Sequence, residues 1–135
     1  MRRRLRTTSS MIWKTVRLEL SPNVSSTKAS PSRAFLIRVP LDELGVIDAA
    51  ELARDPLRAT VLRTWSSEPD QFGHIERADG HWVFRCPRKR GEDVYRMPAV
   101  PLGLHDQVTV QDPNGATQPF TVASIGGTNR SSARA

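Results

Sequence analysis

At 135 residues the chain is long enough to close one modest hydrophobic core and too short for two. Its hydrophobic share of 38% is below the usual globular level, with Pro, Ser, Thr and Arg gathered in unpatterned stretches, so the folded part is smaller than the chain. The formal net charge of +6 suggests an acidic partner until its distribution is read: Arg2, Arg3, Arg4, Arg6, Arg130 and Arg134 lie in the terminal segments, leaving 14 basic against 14 acidic residues between positions 11 and 125.

Residues 1–10 carry charge and hydroxyls with almost no apolar side chains, the composition of a disordered basic tail. Met11 opens the first patterned segment, which suggests a translation start there, with residues 1–10 as an upstream extension. In IWKTVRLEL, Ile12, Val16, Leu18 and Leu20 are expected on one face of a strand, with Trp13, Thr15, Arg17 and Glu19 on the other. Residues 21–33, rich in Ser, Thr and Pro, read as a flexible loop. Residues 34–39 form a second strand with Phe35, Ile37 and Val39 on one face, closed by Pro40 at an edge-compatible position.

Asp48 can cap the first turn of one short helix, and Glu51 stands at the capping-box spacing. Asp55-Pro56 ends it, because the residue before proline is pushed out of the α region. Residues 59–66 (ATVLRTWS) return to strand character before a turn through Glu68, Pro69 and Asp70. The clearest local signal is residues 74–86, where Asp79-Gly80 suits a type I′ hairpin turn. Two-residue closure sets Ala78 opposite His81, Arg77 opposite Trp82, Glu76 opposite Val83, Ile75 opposite Phe84 and His74 opposite Arg85, with Arg77 laid across Trp82 as a cation–π pair. After a basic connector, residues 94–97 make a short strand. Val108 and Val110 form one arm of a last hairpin with Phe120 and Val122 in the other, turned by Asp112-Pro113-Asn114-Gly115. Residues 126–135 have no core-forming side chains and read as a second disordered tail. The expected fold is therefore mainly β within α+β: one domain over residues 11–125, a small antiparallel barrel-like sheet or sandwich of about seven short strands with one short helix.

Candidate chemistry is sparse. The lone Cys86 can form no internal disulfide, fits a reducing cytoplasmic setting, and reads first as a small buried hydrophobe. No apolar stretch is long enough for a signal peptide core or a membrane span, so no membrane partner is expected. His74, His81 and His105 have no metal-ligand spacing, and no metal or cofactor site is expected. The pairs Asp42-Glu43 and Glu92-Asp93 read as solvated loop charge, and Gly126-Gly127 lacks the helix and lysine of a phosphate loop. The one binding candidate is Arg85, Arg88, Lys89 and Arg90 beside Trp82 and Phe84, since a cationic strip next to aromatic rings is the device of single-stranded nucleic-acid binders.

The segments MIWKTVRLEL, LIRVPLDELGVIDAAEL, residues 65–70, Asp79-Gly80-x-Trp82-x-Phe84 and VTVQDPNGATQPFTVASI together resemble, in layout more than in any sharp motif, a family of short bacterial proteins to which no function is assigned. That resemblance implies a mainly β fold and carries over no catalytic or binding residue. The leading functional expectation is a non-enzymatic protein-interaction module that meets an unknown protein partner through exposed strand edges and the loop between the first two strands. The alternatives are a nucleic-acid-associated protein using residues 85–90 and the tails, and a small thiol- or His-dependent enzyme built on Cys86.

Overall fold

The alternation of apolar and polar side chains places one row of each strand against the others, and with enough strands such a sheet buries that row by closing on itself. The computed structural model describes residues 11–21 and 33–127. The two tails and the body of the loop expected at 21–33 lie outside those residues. Eight antiparallel strands run in chain order around a closed barrel: β1 (Ile12–Leu20), β2 (Arg33–Leu41), β3 (Thr60–Trp65), β4 (Gln71–Ala78), β5 (His81–Pro87), β6 (Glu92–Pro98), β7 (Gln107–Gln111) and β8 (Thr117–Gly127), with β8 pairing back onto β1. The helix α1 (Ala49–Arg54) and a 3-10 turn (Pro56–Arg58) join β2 to β3. The mainly β barrel with one short helix is thus as expected, with eight strands where about seven were counted. The last strand extends through Gly127, beyond the end expected for the domain.

The interior is filled with side chains. Val16 and Leu18 of β1 stand opposite Ile37 and Phe35 of β2, Ile75 of β4 opposite Phe84 of β5, and Val108 of β7 opposite Phe120 of β8, all buried. Closure needs one irregularity. Between Arg17 and Leu18 the register against β8 shifts, so that Arg17 faces Ser124 while Leu18 faces Val122. The extra residue bends β8 and lets both Val122 and Ile125 pack toward the core.

The hairpin between β4 and β5 has the expected five pairs, and the Arg77 guanidinium lies 5.1 Å from the Trp82 ring. Its turn differs from the expected type: Gly80 has φ of 66° but Asp79 stays out of the left-handed region, so the pair does not make a type I′ turn. Asp112 accepts at Oδ1 from the amides of Asn114 and Ala116, and Gly115 takes φ of 92°, closing the β7–β8 turn as expected.

At the start of β1 the faces are as expected but burial does not follow them. Ile12 is 53% exposed whereas Trp13 is 5% exposed. The cause is tertiary. The Asp48 amide donates to the carbonyl of Pro40, the residue opposite Trp13, which folds residues 48–58 over the outer wall and brings the Arg58 guanidinium 4.6 Å from the indole. Asp48 caps α1 by accepting from the Glu51 amide at 2.9 Å, but the reciprocal arm of a capping box is not made, because Glu51 binds Arg54 instead. Pro40 lies past the last β2–β3 pair, Arg38 opposite Thr60, so its missing N–H breaks no ladder bond.

Candidate functional site

Strand β3 carries Val61, Arg63 and Trp65 on one row, which alternation sends inward. A guanidinium in that row is tolerated because Arg63 lies near the end of the barrel, where polar partners reach it. The residue is 4% exposed. Its Nη2 donates to Oε1 of Glu68 at 3.0 Å and to the Pro69 carbonyl at 3.2 Å, its Nη1 reaches the Tyr95 hydroxyl at 3.4 Å, and its guanidinium stacks 4.5 Å from the Trp65 ring. Burial works against the charge of Arg63, but the hydrogen bonds and charge of Tyr95 and Glu68 outweigh it and hold the guanidinium above its ordinary pKa. Burial raises the Tyr95 phenol above its ordinary value while Arg63 pulls it back, so the hydroxyl stays a neutral hydrogen-bonding group.

Around this residue opens a polar pocket of about 330 Å³. The start of β2 contributes Arg33, whose guanidinium lies 5.3 Å from the other partner of Arg63, the Trp65 ring. The β5–β6 connection contributes Arg88, bound to Asp93 of β6 at 3.3 Å, and the β7–β8 turn contributes Asp112 to Asn114. Asp93 also accepts from Gln71 Nε2 at 3.1 Å. Three arginines therefore meet at one end of the barrel. Arg63 is outside the residues that the sequence pattern singles out, although its signal is present: in ATVLRTWS it shares parity with Val61 and Trp65, and a cation in an inward row marks either a misassigned strand or a site.

The expected strip at residues 85–90 comes apart in the fold. Trp82 is 2% exposed and Phe84 fully buried, so neither ring offers a face to a base, because both belong to the inward row of β5. Arg85 points outward between Glu76 and Glu92 and bonds to both, which raises its pKa. Arg88 turns to the pocket, and Lys89 and Arg90 are exposed in the connector. The acidic pairs have structural roles: Asp42 accepts from the amides of Leu44 and Val46, and Glu92 and Asp93 hold Arg85 and Arg88. His81 sits at the hairpin turn with Nδ1 2.7 Å from the Asp79 carbonyl, His74 is exposed beside Phe72, and His105 lies in the β6–β7 connection. Among the described residues no three His, Cys, Asp or Glu side chains converge as metal ligands, and no helix is long and apolar enough to cross a membrane.

Cys86 is fully buried, and burial, countered by Arg63, pushes its thiol up from 9.0 to about 11. At pH 8 such a thiol is about a thousandth thiolate. Iodoacetamide at pH 8 is therefore expected to label Cys86 at least about a hundredfold more slowly in the native chain than in denaturant. Rapid native labelling followed by mass spectrometry would contradict the buried placement.

Compared with known protein families, with curated proteins and with solved structures, the chain shows no significant match to any.

Proposed function

We propose that this chain is a non-enzymatic protein-interaction module of the bacterial cytoplasm that meets its partner with the pocket-bearing end of the barrel. The observation that carries the reading is a buried guanidinium, Arg63, opening onto a polar pocket at the end of a barrel whose interior is otherwise filled. Among the described residues the inward side chains pack against one another rather than around a lumen. The full burial and raised pKa of Cys86 speak against the thiol-enzyme alternative, which requires an accessible thiolate. The buried, unpaired thiol also suits a reducing compartment. Closure of the barrel narrows the exposed strand edges first expected to the seam between β6 and β7, where Arg96 opposite Gln111 is the one ladder pair among the described residues.

The test is capture from a lysate of the native cell on the immobilised full-length chain, its Arg33→Glu variant and its Leu57→Glu variant. Leu57 is 78% exposed in the 3-10 turn, which precedes β3, whereas Arg33 stands opposite Trp65 at the other end of that strand. A protein held by the wild type and by Leu57→Glu but lost from Arg33→Glu is the expected result. Identical retained sets on wild type and Arg33→Glu would overturn the reading.

A further inference from the structure

The charges around the pocket do not close evenly. Asp93 is engaged by Arg88 and Gln71, and Asp112 spends Oδ1 on two amides of its own turn. That leaves Arg33 and Arg63, both against the Trp65 ring, with Glu68 as the one remaining carboxylate on the pocket wall. Arg33 makes no ion pair among the described residues, and Arg63 Nε is buried without an acceptor. The pair that does form is lopsided: the Arg63 side chain is 5% exposed and that of Glu68 52% exposed. Water can solvate Glu68 as soon as it swings out, but Arg63 without a carboxylate would be an uncompensated buried charge, which is strongly unfavourable. The buried member is therefore fixed and the exposed member exchangeable.

We propose that this pocket is a carboxylate-recognition site, that Glu68 of the β3–β4 turn is its internal stand-in, and that a partner's acidic side chain displaces Glu68 to bind Arg63 and Arg33 together. The inference rests on the interaction-module reading and names what the pocket reads in the partner. A planar guanidinium with a fixed fork matches a carboxylate better than any neutral group, and the Trp65 ring that both arginines face holds them in place. The site takes a single carboxylate at Arg63, because Glu68 shows that one carboxylate fits there.

Isothermal titration of the full chain with an acetyl-capped tetraglutamate peptide tests this, with the tetraglutamine peptide and free glutarate as controls. Glu68→Gln removes the competing charge while keeping the side-chain shape, and is expected to tighten tetraglutamate binding about tenfold. Arg33→Gln is expected to weaken it about fivefold, with tetraglutamine silent throughout. Equal affinity in wild type and Glu68→Gln, or no binding by Glu68→Gln, would overturn the stand-in role. Glutarate binding as tightly as the peptide would give the pocket to a free dicarboxylate and overturn its assignment to a partner's side chain. If tetraglutamate fails while lysate capture still depends on Arg33, this inference falls and the interaction-module reading stands.

Discussion

Gly73→Ala is expected to destabilise the barrel by at least about 3 kcal/mol, the upper range for overpacking, and to abolish folding where the margin is small. Gly73 lies on the inward row of β4 opposite Val61 of β3. A Cβ there would stand 1.9 Å from the Arg85 carbonyl oxygen and 2.9 Å from the Cys86 Cα. Both are backbone atoms of β5, fixed by the ladder that runs from His74 opposite Arg85 to the hairpin turn. No side chain can rotate aside, so relief requires β4 and β5 to separate where the sheet bends to close. Gly115→Ala gives the contrast. Its φ of 92° strains any L side chain, but nothing stands within 4 Å, so the cost is expected near about 1 kcal/mol. Urea unfolding followed by tryptophan fluorescence compares the two. A Gly73→Ala midpoint at or above that of Gly115→Ala would contradict the close approach of β4 to β5.

The same segment shows why the fold was partly legible. The register of the β4–β5 hairpin follows from two local facts, a turn pair at Asp79-Gly80 and alternation on either side, so all five pairs could be written before any tertiary information. The Asp112 turn and the Asp48 cap are readable for the same reason, since each is made by atoms within four residues. The backbone conformation of Asp79 was less legible, because either side of zero φ closes a two-residue loop when glycine follows. The burial of the outward-facing Trp13 was not legible because its cover comes from Arg58, 45 positions away. Closure of β8 onto β1 joins residues about a hundred positions apart through a bulge that reverses the facing pattern, and no local period records it.

The candidate site divides in the same way. Arg63 and Glu68 are five residues apart across one turn, and the parity of Arg63 with Val61 and Trp65 is a local signal. Tyr95, Arg88, Arg33 and Asp112 join them only because β2, β3, β6 and the β7–β8 turn end together at one rim. In the basic strip at 85–90, nearness in sequence is not nearness on one surface. On a strand, alternation puts Trp82 and Phe84 inside and Arg85 outside, and that parity forbids the aromatic platform the composition suggested.

The core and the pocket are coupled through one ring, which gives the second large effect. Phe35 is fully buried opposite Arg63, with ring centroids 5.2 Å from Trp65, 5.2 Å from Phe84, 5.1 Å from Tyr95 and 5.2 Å from Phe120. Three of these contacts are edge-on, the arrangement in which the ring quadrupoles attract. Truncation to alanine removes the ring and leaves a cavity that four aromatic neighbours on separate strands cannot easily fill, so Phe35→Ala is expected to cost about 3–5 kcal/mol. Phe72, 56% exposed on the outer wall, provides the reference, with Phe72→Ala within about 0.5 kcal/mol of wild type. Phe35→Leu fills much of the volume without the ring and is expected to fold at intermediate stability. Because Trp65 and Tyr95 both touch Phe35 and both hold Arg63, the leucine variant should also bind the tetraglutamate peptide more weakly than wild type, while Phe72→Ala binds it equally. Urea midpoints and peptide titrations on the same three variants check both halves. Equal urea midpoints for Phe35→Ala and Phe72→Ala would mean that the barrel is not built around this ring, and unchanged peptide affinity in Phe35→Leu would separate the pocket from the core.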